Sequence, residues 1–171
     1  MSPPDETALV DAARSGDRGA FAELYARYGR MVHGILLARV PRGDAEDLVQ
    51  DVFLTALKRL PTLRDAGAFG GWLVVIARNR ARDHYRRTPE IVESTSEPVA
   101  QESPGAAALA VLEIIQGLPD AYRETLTLRL VEGMTGAEIA ARTGLTPASV
   151  RVNLHRGMKQ LRGRLRGTEG V

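Results

Sequence analysis

The chain has 171 residues, 44% hydrophobic and 26% charged, with a formal net charge of +2 and no cysteine. This is ordinary globular composition, enough for one domain or two small ones, and it excludes disulfides, thiolate metal sites and a cysteine nucleophile. No apolar run is long enough to span a bilayer, and Met1 to Gly16 lacks a signal-peptide core, so a cytoplasmic protein without membrane insertion is expected.

Charge is unevenly placed along the chain. Residues 1–87 hold fourteen Lys or Arg against eleven Asp or Glu; residues 88–119 hold five acids and no base; residues 120–171 hold nine bases against five acids. Two mildly basic blocks therefore flank an acidic one, and basic blocks suit phosphate contacts, which gain affinity by releasing counterions.

The first block reads as helical. Phe21, Leu24, Tyr25, Tyr28, Val32, Ile35 and Leu36 recur at helix spacing until Pro41 breaks the pattern. Asp44 is placed to cap a second helix, whose acidic first turn (Asp44, Glu46, Asp47) complements the helix dipole. Leu48, Val49, Val52, Phe53, Ala56, Leu57 and Leu60 form its apolar stripe, and Pro61 ends it. Thr62 to Gly71 reads as a glycine-rich loop. A further helix runs from about Trp72 to Arg87, with Arg78, Arg82 and Arg86 four apart on one face, beside Asn79, Arg80 and Arg87.

Residues 88–108 read as a flexible linker. They contain Pro89, Pro98 and Pro104 with Glu90, Glu93, Glu97 and Glu102, a composition that buries too little to fold alone. A short helix follows from about Ala106 to Gln116. Beyond Leu118-Pro119, Asp120 is placed to cap a helix through Val131 that Gly133 ends. Thr135-Gly136-Ala137-Glu138 is a capping box, in which a hydroxyl and a carboxylate satisfy free amides at a helix start. That helix stops at Gly144. Thr146 caps the last helix, and Pro147 takes its first position, where a missing amide is harmless. Val150, Leu154, Met158 and Leu161 make the buried stripe; Ser149, Arg151, Val152, His155, Arg156 and Lys159 face outward. A basic, polar helix held on a compact turn suits the DNA major groove. No strand alternation or internal repeat is visible, so the expected fold is all-α.

Two groups of motifs together resemble one family. The first is Asp44-Ala45-Glu46-Asp47-Leu48-Val49-Gln50-Asp51-Val52-Phe53-Leu54, then Ala68-Phe69-Gly70-Gly71-Trp72-Leu73 and Ile76-Ala77-Arg78-Asn79. The second is Leu118-Pro119, Val131-Glu132-Gly133, Glu138-Ile139-Ala140, and Ser149-Val150-Arg151 with Leu154-His155-Arg156. In this order, across a variable linker, they resemble the extracytoplasmic-function (ECF) group of bacterial RNA polymerase sigma factors, in the sigma-70 family.

The resemblance implies two small helical domains. A sigma-2 bundle (residues 8–87) binds core polymerase and reads and melts the minus-10 element. A sigma-4 helix-turn-helix domain (residues 109–166) reads the minus-35 element. It also implies residue roles. Asp47, Gln50 and Asp51 would meet the clamp helices of the polymerase largest subunit. Arg64, Phe69, Trp72, Arg78, Asn79, Arg82 and Arg86 would serve minus-10 DNA. Phe69 and Trp72 offer a wall on which an extruded base stacks, with a core anchor as the other reading of Trp72. Asn79 would contact DNA or brace the loop. Ser149, Arg151, Val152, His155, Arg156 and Lys159 would serve minus-35 DNA. The acidic linker would thread the polymerase cleft, mimicking nucleic-acid charge. Group members are commonly held inactive by an anti-sigma factor.

Two other classes compete. A stand-alone helix-turn-helix regulator explains the second half of the chain but leaves the Asp47–Asp51 face and the Trp72 segment without a role. An enzyme finds little support: His33, His84 and His155 are scattered, and no HExxH or phosphate-loop pattern occurs. Asp44, Asp47 and Asp51 could share a side and bind magnesium, yet a capped surface helix accounts for them better. No catalytic residue, metal or cofactor is expected.

Overall fold

The computed structural model describes residues 5–87 and 104–168. These form helices α1 (Glu6–Arg14), α2 (Arg18–Leu37), α3 (Arg42–Arg59), α4 (Phe69–Arg87), α5 (Pro104–Gln116), α6 (Asp120–Leu130), α7 (Gly136–Thr143) and α8 (Pro147–Thr168), with short 3-10 turns at Leu60–Thr62 and Ala66–Ala68. No strand occurs among the described residues, as the periodicity predicts.

Local chemistry sets most boundaries. Asp17 opens α2 by accepting from the amides of Gly19 (2.9 Å) and Ala20 (3.1 Å). Two expected caps are corrected. Proline occupies the cap position of both α3 and α6, with Pro41 at ψ 143° and Pro119 at ψ 147°, so each helix starts before or at the aspartate. Asp44 instead accepts from His84 Nε2 at 3.0 Å, tying α3 to α4. Asp120 pairs with Arg123 and with Arg39. Helix α4 begins at Phe69 rather than Trp72, because Asp65 caps the Ala66–Ala68 turn through Gly67 N (2.9 Å) and that turn runs straight into it. Helix α5 reaches back to Pro104, inside the stretch assigned to the linker, since proline at a first helical position is no obstacle. The linker glutamates Glu90, Glu93, Glu97 and Glu102 lie outside the described residues.

Helices α1–α4 surround a core built on Leu24, Tyr28, Met31, Ile35, Phe69 and Leu73. The same core continues into the second half of the chain through Leu128, Met134, Ile139, Ala140 and Val150. A separate small cluster of Ile115, Leu118, Leu126 and Leu161 binds α5, α6 and α8 to one another. Each fully buried leucine or isoleucine contributes roughly 1.5–3 kcal/mol, so apolar burial draws the two expected domains onto a common interior. Leu57 departs from its expected place in the α3 stripe; it is 46% exposed, beside Leu54 at 57%.

Candidate nucleic-acid and polymerase interfaces

The helix-turn-helix is built by its caps. Thr135 N donates to Glu138 Oε2 (2.8 Å) while Glu138 N donates to Thr135 Oγ1 (3.1 Å), the reciprocal box read from the sequence. The backbone bond from Thr135 holds the Glu138 carboxyl below the usual carboxylate range. Gly144 closes α7 in the left-handed region, at φ 78°, where glycine carries no Cβ penalty. Thr146 Oγ1 accepts from Ser149 N (3.1 Å) and donates to Ser149 Oγ (2.8 Å), which starts α8.

Val150 and Leu161 are buried and Leu154 and Met158 half-buried, so the inward stripe of α8 is the one predicted. Ser149, Arg151, Val152, His155, Arg156 and Lys159 are all exposed, and the structure gathers them on the outside of one helix. The Ser149 hydroxyl is also engaged with the Thr146 cap.

The residues assigned to minus-10 DNA divide. Arg64, Asn79, Arg82 and Arg86 are exposed. Trp72 is half-buried, packed against the core, its ring centroid 5.8 Å from that of Phe69. Phe69 is a correction: it is fully buried, edge-on to Tyr28 at 5.1 Å, because α4 starts at this residue and turns its ring inward. Arg78 is not free either. It grips Glu124 with two bonds, Nη2 to Oε1 at 2.6 Å and Nε to Oε2 at 3.1 Å. Arg39 Nη2 joins the same carboxylate at 2.8 Å.

On α3, Asp47 and Gln50 are exposed, while Asp51 accepts from Arg80 at 2.8 and 3.2 Å. Arg80 therefore belongs to this face. Asp44 is tied to His84 and Asp51 to Arg80, so the aspartates do not converge; among the described residues no group of three possible metal ligands exists. Beside Gln50 lies an apolar groove of about 350 Å³ lined by Phe21, Tyr25, Phe53 and Leu54. Sequence reasoning missed this flank. The signal was there, since a leucine at both Leu54 and Leu57 widens the apolar stripe beyond what one buried face needs.

An all-α chain that joins a capped helix-turn-helix, basic on the outside of its last helix, to a helical bundle with an acidic, amide-bearing face belongs to a definite class of DNA-binding protein. The family models for "Sigma-70 region 2" and "Sigma-70, region 4" match residues 24–89 and 108–161. The ECF RNA polymerase sigma-E factor of Escherichia coli is 31% identical over 172 residues, covering 90% of both chains. The ECF RNA polymerase sigma factor BldN of Streptomyces coelicolor is 32% identical over 166 residues, which is 90% of this chain and 63% of BldN, so the chain spans under two thirds of that relative. Among solved structures, CnrH in complex with the cytosolic domain of CnrY superposes with a TM-score of 0.65 at 27% identity, covering 95% of this chain and 97% of CnrH. The chain belongs to the ECF group of RNA polymerase sigma factors. It is a promoter-specificity factor for transcription initiation, not a stand-alone regulator. No helix among the described residues is long and apolar enough to cross a membrane.

Proposed function

We propose that this sigma factor recruits core RNA polymerase through the α3 face and reads its promoter with α4 and α8. Asp47 and Gln50, with Asp51 beside them, form the polar part of the polymerase contact. Leu54 and the groove next to it add apolar area. On DNA, Arg64, Trp72, Arg78, Asn79, Arg82 and Arg86 serve the minus-10 element. Ser149, Arg151, Val152, His155, Arg156 and Lys159 serve the minus-35 element. The functional division follows residues 8–87 and 109–166, with α5 from residue 109 onward belonging to the second unit. Residues 88–108 carry the tether, whose glutamates suit a phosphate-binding channel. The polymerase performs the chemistry, so the chain itself is no enzyme and needs no cofactor, and its place of work is the cytoplasm. An anti-sigma protein is the expected inhibitor, as CnrY accompanies CnrH.

The observation that carries this reading is the exposure of the basic α8 face and of Asp47 and Gln50 on α3. The test is transcription from genomic fragments by purified core polymerase, with wild-type chain or with Asp47→Ala/Gln50→Ala. Specific transcripts that need the wild-type chain and fall with the double variant are expected. DNA binding without any recruitment of polymerase would defeat it.

A further inference from the structure

We propose that Arg14, in the last turn of α1, is a positioning residue for minus-10 recognition. Its guanidinium pins the carbonyl of Leu63 and so fixes the loop that presents Arg64 and leads into Trp72. This rests on the assignment of Arg64 and Trp72 to minus-10 DNA. Helix α1 lies ahead of residues 24–89, the part matched to sigma-70 region 2, and its contacts give it this separate task.

The loop needs support from outside itself. Residues 63–65 lie between the turns at Leu60–Thr62 and Ala66–Ala68 and belong to no helix. Leu63 is buried, and a buried backbone carbonyl must find a donor. Arg14 Nη2 supplies one at 2.7 Å, from 49 residues earlier in the chain. The same guanidinium is held from its other side, where Nη1 donates to Asp11 Oδ1 at 3.1 Å. Its Nε is buried without a partner among the described residues, so the side chain is inserted between helix and loop rather than lying over them in solvent. A guanidinium suits this place because its separate N–H groups reach a carboxylate and a carbonyl at once. Downstream the loop is fixed locally, by Asp65 on Gly67 N; upstream, Arg14 does the fixing.

The rest of α1 backs the same loop. Leu9, Val10 and Ala13 turn inward and share a core with Leu63 and Ala66. Arg64, Asp65 and Gly67 are exposed. The loop therefore gives its inner side to the core that α1 helps build and keeps its outer side for DNA. At the other end of α1, Glu6 lines a crevice with Gly67, Ala68 and Trp72. From Glu6 to Arg14 a helix rises about 12 Å, so α1 meets the loop at two separated points. A recognition loop already held in shape loses little freedom when it binds, and that preorganisation improves affinity for the sequence it fits. The function assigned to Arg14 is this one: it touches no base, and it sets where Arg64 and Trp72 stand.

Two measurements on the full chain test it. Arg14→Met keeps the apolar stem and removes the fork, while Arg14→Lys keeps a cation within reach of the carbonyl. In the free chain, Arg14→Met should speed amide hydrogen exchange at residues 63–68 by about tenfold, the weight of one hydrogen bond to a charged group, with α3 and α8 unchanged and Arg14→Lys largely restored. The second probe is a genomic fragment that the wild-type holoenzyme transcribes, with single base-pair changes in its minus-10 or minus-35 element. Arg14→Met should shrink the preference for the matched minus-10 element by about tenfold, leaving the minus-35 preference and the affinity for core polymerase as they were. A merely structural role would scale every template alike. If Arg14→Met does not fold, Asp11→Asn, an exposed change that loosens the same guanidinium, decides by the same readouts. Unchanged exchange in the loop, or an unchanged minus-10 preference, overturns the proposal. A wild-type chain that directs no transcript would instead defeat the minus-10 reading, with the exchange arm still deciding whether Arg14 holds the loop.

Discussion

Glu124 and Arg78 stand 46 residues apart in the chain, in different halves, and meet in a two-point bond of 2.6 and 3.1 Å. The side chain of Glu124 is 5% exposed and that of Arg78 39%, so the pair is buried on its acidic side alone. Replacing Glu124 by Gln leaves Arg39 and Arg78 facing a neutral amide. Hydrogen bonds to charged groups contribute about 1.5–3 kcal/mol each, and the partial exposure of Arg78 puts the expected loss of stability near about 2 kcal/mol. Urea unfolding followed by circular dichroism checks it; a midpoint unchanged from wild type would mean the pair adds nothing net.

The second contact across the halves titrates. His33 Nδ1 bonds the carboxylate of Glu132, and that bond holds the imidazolium above the ordinary histidine pKa, helped by the charges of Glu132 and Glu46 and opposed by burial. Arg30 also faces this corner, donating to Glu132 O at 3.2 Å. Because the folded-state pKa is raised, the contribution is complete below the ordinary histidine value and is lost as pH rises through the raised one. The urea midpoint should therefore fall as pH rises from the ordinary histidine value through the raised one, and His33→Gln should flatten the profile. A midpoint that falls on acidification through the histidine range instead would contradict the assignment.

Much of the helix-turn-helix was legible because its determinants are local: Thr135 with Glu138, Gly144, then Thr146 with Pro147. Each lies within four residues of what it satisfies. The corrected features depend on distant neighbours or on a competing cap. Asp44 and Asp120 look like caps in isolation, yet Pro41 and Pro119 had already taken that position. Phe69 beside two glycines reads as loop; only Tyr28 across the core explains its inward ring. Helix α1 buries just Leu9, Val10 and Ala13, too brief a stripe for periodicity to reveal. Nothing around Glu124 marks it as the partner of two arginines far earlier in the chain. The face of α3 was legible in its polar residues and missed in its leucines, since a stripe does not announce which of its members are left outside.

Those leucines give a third prediction. Leu54 is 57% exposed on the same helix as Gln50, and an exposed leucine contributes little to folding. Leu54→Asp should leave the thermal midpoint within a degree or two, because exposed substitutions typically change stability by no more than about 0.5 kcal/mol. It should weaken binding to core polymerase several-fold by placing a charge in an apolar contact. Titration of labelled chain with core enzyme distinguishes the two effects. Full-strength binding by the folded variant would remove the groove from the polymerase surface.

The capping box separates shape from recognition in α7 and α8. Thr135→Ala removes the hydroxyl that accepts from Glu138 N, and loss of such a cap costs about 1 kcal/mol. The depressed Glu138 pKa means its own contribution is present above the ordinary carboxylate range and disappears as pH falls through the lowered value. Thr135→Ala should therefore reduce stability yet preserve sequence preference, because Arg151 and His155 keep their places on α8. Arg151→Ala should do the opposite: unchanged melting, with a loss of about 1–3 kcal/mol on the preferred minus-35 duplex and relaxed choice at one position. Lys159→Ala, which the proposed docking of α8 assigns to phosphate contact, should weaken all duplexes alike and lower the salt slope by about one. Measuring affinity for matched and mismatched duplexes at several salt concentrations sorts the three variants. If Arg151→Ala and Lys159→Ala behave identically, the early part of α8 does not read base edges.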